Sequence, residues 1–314
     1  GLAAAERLQE QVRLRTGRTV TVGAAEHPLL DDPPRAALEN ARKAADHAAF
    51  FGPGSRVAFD AVSLNISGDK FYERGDVPAA IREFQQALRL DPRNGNVHNS
   101  LGVCFGVLGE HERALEAFGQ AIGLDGGDYM AVYNSGLIHG LQGRREAALE
   151  CFLKAGALHG DVFEILFQTA KLRLEMGDPE AARPLLERAT RLRPRSGNAQ
   201  RLLGDCYAQL RLPEKAIAAY KKAVKSNPSD SLALSALGGL FDEKGENPEI
   251  ALVFCQESVR LVPDNPLFRK RLGGLYFKLN RLEEALYEFE QAGRLGEDSA
   301  EDLRRVRERL PARN

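Results

Sequence analysis

The chain has 314 residues, with 43 Lys+Arg against 44 Asp+Glu and a formal net charge of −1. That length allows two domains and a large buried core, and the charge balance speaks against a general binder of nucleic acid or of anionic membranes, both of which need a basic field. No stretch of about 18 apolar residues occurs and the N-terminus lacks a basic start before an apolar run, so the expectation is a cytoplasmic protein with neither nucleic acid nor membrane as partner. Gly1 is compatible with a scar of tag removal, which would make this a piece of a longer chain. Cys104, Cys151, Cys206 and Cys255 lie far apart with no C-x-x-C spacing. They read as buried free thiols, because a zinc site needs clustered ligands. No metal and no cofactor is expected.

Residues 1–60 read as a small α/β segment. Leu8, Val12 and several alanines form a stripe over Leu2–Leu14, which predicts a helix broken by Gly17. Thr19–Ala24 alternates β-branched residues and predicts a strand. Pro33 and Pro34 open a second helix through Phe50, Gly52-Pro53-Gly54 ends it, and Arg56–Phe59 reads as a short closing strand. The wording Thr19-Val20-Thr21-Val22-Gly23-Ala24-Ala25, followed by Ala41-Arg42-Lys43-Ala44-Ala45-Asp46-His47-Ala48-Ala49, resembles the last part of a GGDEF (diguanylate cyclase) domain. The resemblance covers about 55 residues; an unrelated α/β cap shielding the next element is the alternative. It implies no activity here, since the family's metal and phosphate carboxylates and its signature hairpin lie earlier in that domain. Gly126-Gly127-Asp128 only looks like the signature, because it falls in a turn between two repeats.

From Ala61 to Ser299 a pattern returns every 34 residues, seven times, with small residues at the eighth, twentieth and twenty-seventh places and Pro near the end. Gly68, Ala80, Ala87 and Pro92 carry it first; Gly204, Ala216, Ala223 and Pro228 repeat it in the fifth unit. Small residues let two antiparallel helices approach, Leu and aromatic residues at the fourth, seventh, eleventh and twenty-fourth places fill the space, and Pro stops the second helix. Gly126 and Gly160 replace that Pro in the second and third units, the fourth is more aliphatic with Leu186 at the aromatic place, and the sixth has one extra residue in the Glu243–Pro248 turn. Period and marks resemble the tetratricopeptide repeat (TPR). The resemblance implies a mainly α fold: a right-handed α-solenoid of seven helix pairs at 61–299. A capping helix and tail follow at 300–314, where Ala300, Leu303, Val306 and Leu310 form one stripe and Ser299 with Asp302 reads as an N-cap pair.

No phosphate loop, nucleophile elbow or H-E-x-x-H occurs, and the six histidines are scattered, so no enzyme activity is expected of this chain. In TPR proteins the first helix of each unit lines the concave face. Carried over residue by residue, the resemblance implies a peptide-binding groove at Asn96, Asn99 and Val103, at Met130, Tyr133 and Leu137, and at Phe167, Lys171 and Leu174, with Asn198, Arg201 and Asp205 in the fifth unit. Amides and a tyrosine suit the backbone of an extended peptide. Asn65 and Asp69 stand where the family's carboxylate clamp has Lys and Asn, so that clamp is absent. Tyr133 is expected to point away from the helix–helix core. The expected function is a protein–protein interaction scaffold in a bacterial signalling protein; the alternative is the regulatory region of a cyclic-dinucleotide-synthesising enzyme. The same apolar stripe is open to a second reading, contact with residues 2–60 or with a second copy of the chain in a homodimer.

Overall fold

The computed structural model describes residues 1–27, 33–245 and 247–310. The tail at 311–314 and Glu246 in the sixth unit's turn lie outside the described residues. The chain divides into two compact units, Gly1–Gly160 and Asp161–Asn314.

Unit 1 begins with α1 (Leu2–Thr16), β1 (Val22–Ala24), α2 (Ala36–Ala48), a short 3-10 turn (Ala49–Phe51) and β2 (Arg56–Ala58). Gly17 ends α1 in the left-handed conformation at φ 66°, its N–H returning to Arg13. β1 is shorter than the alternation of 19–24 predicts. Its pairing with β2 is parallel, Val22 opposite Arg56 and Ala24 opposite Ala58, with α2 as the crossover. Gly23 is required here: a Cβ would stand 2.1 Å from Ala41 O and Ala45 N, so α2 lies directly on the strand. Below the strands, the Gln9 amide donates to Val20 O at 2.7 Å and Gly54 O at 3.0 Å, which ties α1 to the sheet end.

Three helix pairs complete unit 1: α3 (Ala61–Glu73) with α4 (Val77–Leu90), α5 (Gly95–Val107) with α6 (His111–Leu124), and α7 (Tyr129–Leu141) with α8 (Arg145–Leu158). Unit 2 holds α9 (Phe163–Glu175) with α10 (Pro179–Leu192), α11 (Gly197–Gln209) with α12 (Pro213–Ser226), α13 (Ser231–Lys244) with α14 (Pro248–Leu261), α15 (Pro266–Lys278) with α16 (Leu282–Arg294), and α17 (Ala300–Arg309). Among the described residues of 61–310 there is no strand.

The pairing obeys one rule. A Cβ on the eighth-place glycine would collide with the ring from the twenty-fourth place: Gly68 with Phe84 at 2.4 Å, Gly102 with Phe118 at 2.5 Å, Gly136 with Phe152 at 2.7 Å, Gly204 with Tyr220 at 2.6 Å, Gly273 with Phe289 at 2.9 Å. Where the eighth place is Ala170, the partner is the slimmer Leu186, both fully buried. A second regularity sits at the fifteenth place. Gly75, Gly109, Gly143, Gly177, Arg211, Gly245 and Asn280 all have positive φ, between 56° and 81°, because the turn between paired helices needs a left-handed residue. The sixth repeat keeps this residue at Gly245, but α13 has 14 residues where the other first helices have 13, so the extra residue lengthens the helix and not the turn alone, contrary to the sequence expectation.

First helices are capped by Asp60, Asn94, Asp128, Ser196, Asp230 and Asn265, each accepting from a backbone N–H of the first turn. α9 has Val162 at that place and no side-chain cap; this uncapped entry follows the boundary between the two units. The Ser299 cap is not as the sequence predicts. Its hydroxyl donates back to Glu297 O, and Asp298 Oδ1 takes the Ala300 N–H. α17 closes unit 2 through Val306, fully buried, with Leu303 and Leu310 beside it, while Ala300 is exposed.

Candidate interaction grooves

Of the twelve groove residues expected from the sequence, six lie in unit 1 and six in unit 2. In unit 1, Asn96 and Met130 are exposed and Asn99, Val103, Tyr133 and Leu137 half-buried. The Asn134 amide donates to Asn99 Oδ1 at 3.0 Å, tying α7 to α5. Asn96 and Met130 line one cleft of about 540 Å³ with Arg93, Asp125, Asp128 and Tyr129. Tyr133 does not point away from the core: its ring packs on Phe152 of α8 at 5.6 Å between centroids, and Phe152 is buried. The fifth place on a first helix lies one turn from the eighth-place glycine, so a large ring there reaches the core aromatic that the glycine admits.

In unit 2 the expected residues meet more closely. Phe167 and Lys171 of α9 and Asn198, Arg201 and Asp205 of α11 share one cleft of about 720 Å³, floored by Leu174 and Tyr220. Leu174 is only 7% exposed and belongs to the core with Ala170 and Leu186, so it supports the cleft more than it lines it. Phe167 stacks on Phe163, centroids 5.7 Å apart, and the Arg193 guanidinium lies over Phe163. Lys171 stands 3.8 Å from Glu175.

A polar network sits below this cleft. The Tyr220 hydroxyl donates to Asp205 Oδ1 at 2.7 Å. Arg201 reaches Asp205 at 3.2 Å and the nearly buried Asp230 at 3.4 Å. Burial pushes the Asp205 carboxyl above its ordinary range, against the pull of Tyr220 and Arg201, and burial with the nearby Asp205 charge pushes the Tyr220 phenol up. Tyr220 and Asp230 escape a reading of first-helix places alone, since one is a core position on a second helix and the other a cap. A signal was present: only the fifth repeat has Tyr at the twenty-fourth place, and it has Asp at the ninth.

Clusters with catalytic residue types do not assemble into sites. His47 Nδ1 lies 3.2 Å from Ser63 Oγ and 3.4 Å from Asp60 Oδ1. Serine and aspartate thus share one ring nitrogen, Ser63 is fully buried, and Asp60 caps α3; the group joins α2 to α3. Among the described residues no group of three or more His, Cys, Asp or Glu is placed to hold a metal. Cys104, Cys206 and Cys255 are buried, and burial raises their thiols to about 11, about 11 and about 12. No described helix is long and apolar enough to cross a membrane.

Family models decide what the repeating pairs are. A model described as tetratricopeptide repeat matches residues 105–159 and 167–231, and one described as TPR repeat matches residues 68–106, together half of the chain. The chain is built from tetratricopeptide repeats. Solved structures share the fold. A crystal structure of YrrB is 21% identical, with a TM-score of 0.54 over 59% of this chain and 95% of that one. PilF of Pseudomonas aeruginosa is 20% identical, with a TM-score of 0.60 over 67% and 95%. A tetratricopeptide repeat protein of Parabacteroides merdae is 15% identical, with a TM-score of 0.54 over 78% and 96%. No curated protein sequence matches the chain. The TPR fold is that of a protein–protein interaction scaffold, generally without catalysis of its own. Neither TPR model extends over residues 1–67.

Proposed function

We propose that this TPR chain is a cytoplasmic scaffold, part of a bacterial signalling protein, that binds an extended peptide segment along its first-helix faces. One observation carries the reading: side chains at the fifth and ninth places of α9 and at the second, fifth and ninth places of α11 converge on a single cleft of about 720 Å³. Phe167 supplies an apolar anchor, and Asn198, Lys171 and Arg201 supply groups for a peptide backbone and its side chains. In unit 1, Met130 and Leu137 offer the apolar surface and Asn96 and Asn99 the amides. YrrB, of the same fold, is described as a TPR protein with an unusual peptide-binding site, which agrees with this use of the fold. Random peptides of about twelve residues, about 40 Å when extended, are displayed and selected on the intact chain. Binders retested on Met130→Gln/Leu137→Gln should weaken for unit 1, and those retested on Phe167→Ala for unit 2. Failure to select any binder, or binders indifferent to both variants, refutes the groove reading.

A second reading takes residues 1–60 as the end of a GGDEF-like domain, with the repeats regulating a cyclic-dinucleotide-synthesising enzyme. It is favoured by the order α1–β1–α2–β2 with its parallel strand pair. Even so, this chain should not turn over GTP with magnesium, since among the described residues no group of three or more His, Cys, Asp or Glu is placed to hold the metal ions of such a transfer. Product formation that survives repurification would sink that expectation.

A further inference from the structure

We propose that the cleft between α2 and α3 is a binding site for a small phosphate-bearing ligand, with Arg42 and Arg74 clasping its dianionic group. The site lies apart from the peptide grooves and does not depend on them.

The cleft has a volume of about 260 Å³ and is walled by α2, α3 and α4. α3 turns Ser67, Lys70, Phe71 and Arg74 toward it, three and four residues apart and so on one helix face. α2 does the same with Glu39, Arg42, Lys43 and Asp46. Several of these charges hold the helices together. Lys70 meets Asp46 at 2.8 Å, and Lys43 meets Glu83 of α4 at 2.8 Å, both members of the second pair being largely buried. The contacts run in opposite order along α2 and α3: His47 lies 3.2 Å from Ser63, and Asp46 reaches Lys70. One turn back on α2 and one turn on along α3 stand Arg42 and Arg74. Both are exposed and both line the cleft. Among the described residues neither guanidinium has an ion-pair or hydrogen-bond partner. Glu39, the remaining carboxylate of the cleft, is exposed and pairs with neither.

Two guanidinium groups, one on each helix, thus share a cleft whose lysines are already matched. An arginine does not shed its charge, and its planar fork holds a phosphate or carboxylate through two parallel N–H···O bonds. A phosphate monoester suits the pair better than a carboxylate. It carries close to two charges at neutral pH, and it has three terminal oxygens to serve both forks and a third donor. Ser67 supplies that donor: its hydroxyl lies on the same wall, one turn before Lys70, and makes no hydrogen bond of its own. The half-buried Phe71 adds a short apolar wall. Small-molecule sites measure about 300–1,000 Å³, so a cleft just below that range fits a phosphate with a compact organic part. The bound group cancels the Arg42–Arg74 repulsion and ties the α/β segment to the first repeat.

Titration calorimetry and thermal melts of the intact chain with glycerol phosphate and with inorganic phosphate, at constant ionic strength, test the site against Arg42→Gln/Arg74→Gln. Neither arginine has a partner to lose, so in chloride this variant should melt at the same temperature as the unaltered chain or slightly above it. At about ten times its dissociation constant, glycerol phosphate should raise the melting temperature of the unaltered chain by about 2 °C. The double variant should bind about tenfold or more weakly. General salting by phosphate acts on both proteins alike and cancels in the comparison. Arg82→Gln removes an exposed arginine of α4 outside the cleft and should keep the affinity. Absence of binding heat and thermal shift at millimolar ligand, equal binding by the double variant, or an equal loss in Arg82→Gln overturns the site. A phosphoserine peptide that needs the arginine pair and binds more tightly than glycerol phosphate overturns the small-ligand assignment.

Discussion

Replacing Gly102 by Ala tests the rule that joins the two helices of every repeat. The added Cβ would stand 2.5 Å from Phe118 Cε1, 2.7 Å from Cδ1 and 3.0 Å from Cζ, where ordinary carbon contacts begin near 3.5 Å. The ring must move by about 1 Å, yet Phe118 is 1% exposed and lies in one buried cluster with Val97, Leu101 and Ala121. Overpacking of this kind costs about 1–3 kcal/mol. Ala in place of Gly returns about 0.5–1 kcal/mol of helix stability, so the net loss should be about 1–2 kcal/mol. Phe118→Leu alone leaves a void and should lose about 1–2 kcal/mol, less than the ~3–5 of a Phe→Ala truncation. The double variant recreates the Ala170–Leu186 pair that the fourth repeat already uses. It should therefore be more stable than the sum of the singles predicts, by at least about 1 kcal/mol. Urea unfolding followed by far-UV circular dichroism on all four proteins measures this coupling. Strict additivity would refute the claim that ring and glycine form one interlocking unit.

Asp205→Asn should change how stability depends on pH. Its folded carboxyl lies above the unfolded value of 3.8, so this group's contribution is complete below 3.8 and is lost as pH rises through the raised value. The Asn variant lacks that loss, and its stability relative to the unaltered chain should grow in thermal melts as pH rises above about 4; a constant difference contradicts the assigned cause. Tyr133→Ala should cost the fold about 1–3 kcal/mol, because it strips a ring from Phe152, whereas Tyr133→Phe should leave the melting temperature almost unchanged. If light scattering instead shows a dimer that Tyr133→Ala dissociates at unchanged monomer stability, the face belongs to a second copy of the chain. Gly109→Ala should lose about 1–2 kcal/mol, because φ there is 75°, while Arg211→Gly, at φ 56°, should be neutral or stabilising. Equal effects at the two positions in chemical denaturation would exclude left-handed strain as the reason.

The amino-acid sequence by itself determined the repeat, its period and the helix boundaries. These depend on signals within a few residues: helical spacing of Leu and aromatic residues, Pro at helix ends, Asp, Asn or Ser before first helices. It also carried the glycine at the fifteenth place, visible in Gly75, Gly109, Gly143, Gly177 and Gly245, although its role as the left-handed hinge is evident only from the backbone. What the tertiary structure decided is which side chains remain available. Leu174 and Tyr133 stand on first helices as Asn96 and Met130 do, yet packing takes one into the core and lays the other against Phe152. The Tyr220–Asp205–Arg201–Asp230 network draws its members from one second helix, one first helix and the cap of the next. The physical reason is range: a helix is fixed by hydrogen bonds to the fourth residue along, but the burial and charge of a groove side chain are fixed by groups tens of residues away, brought near only when the pairs stack.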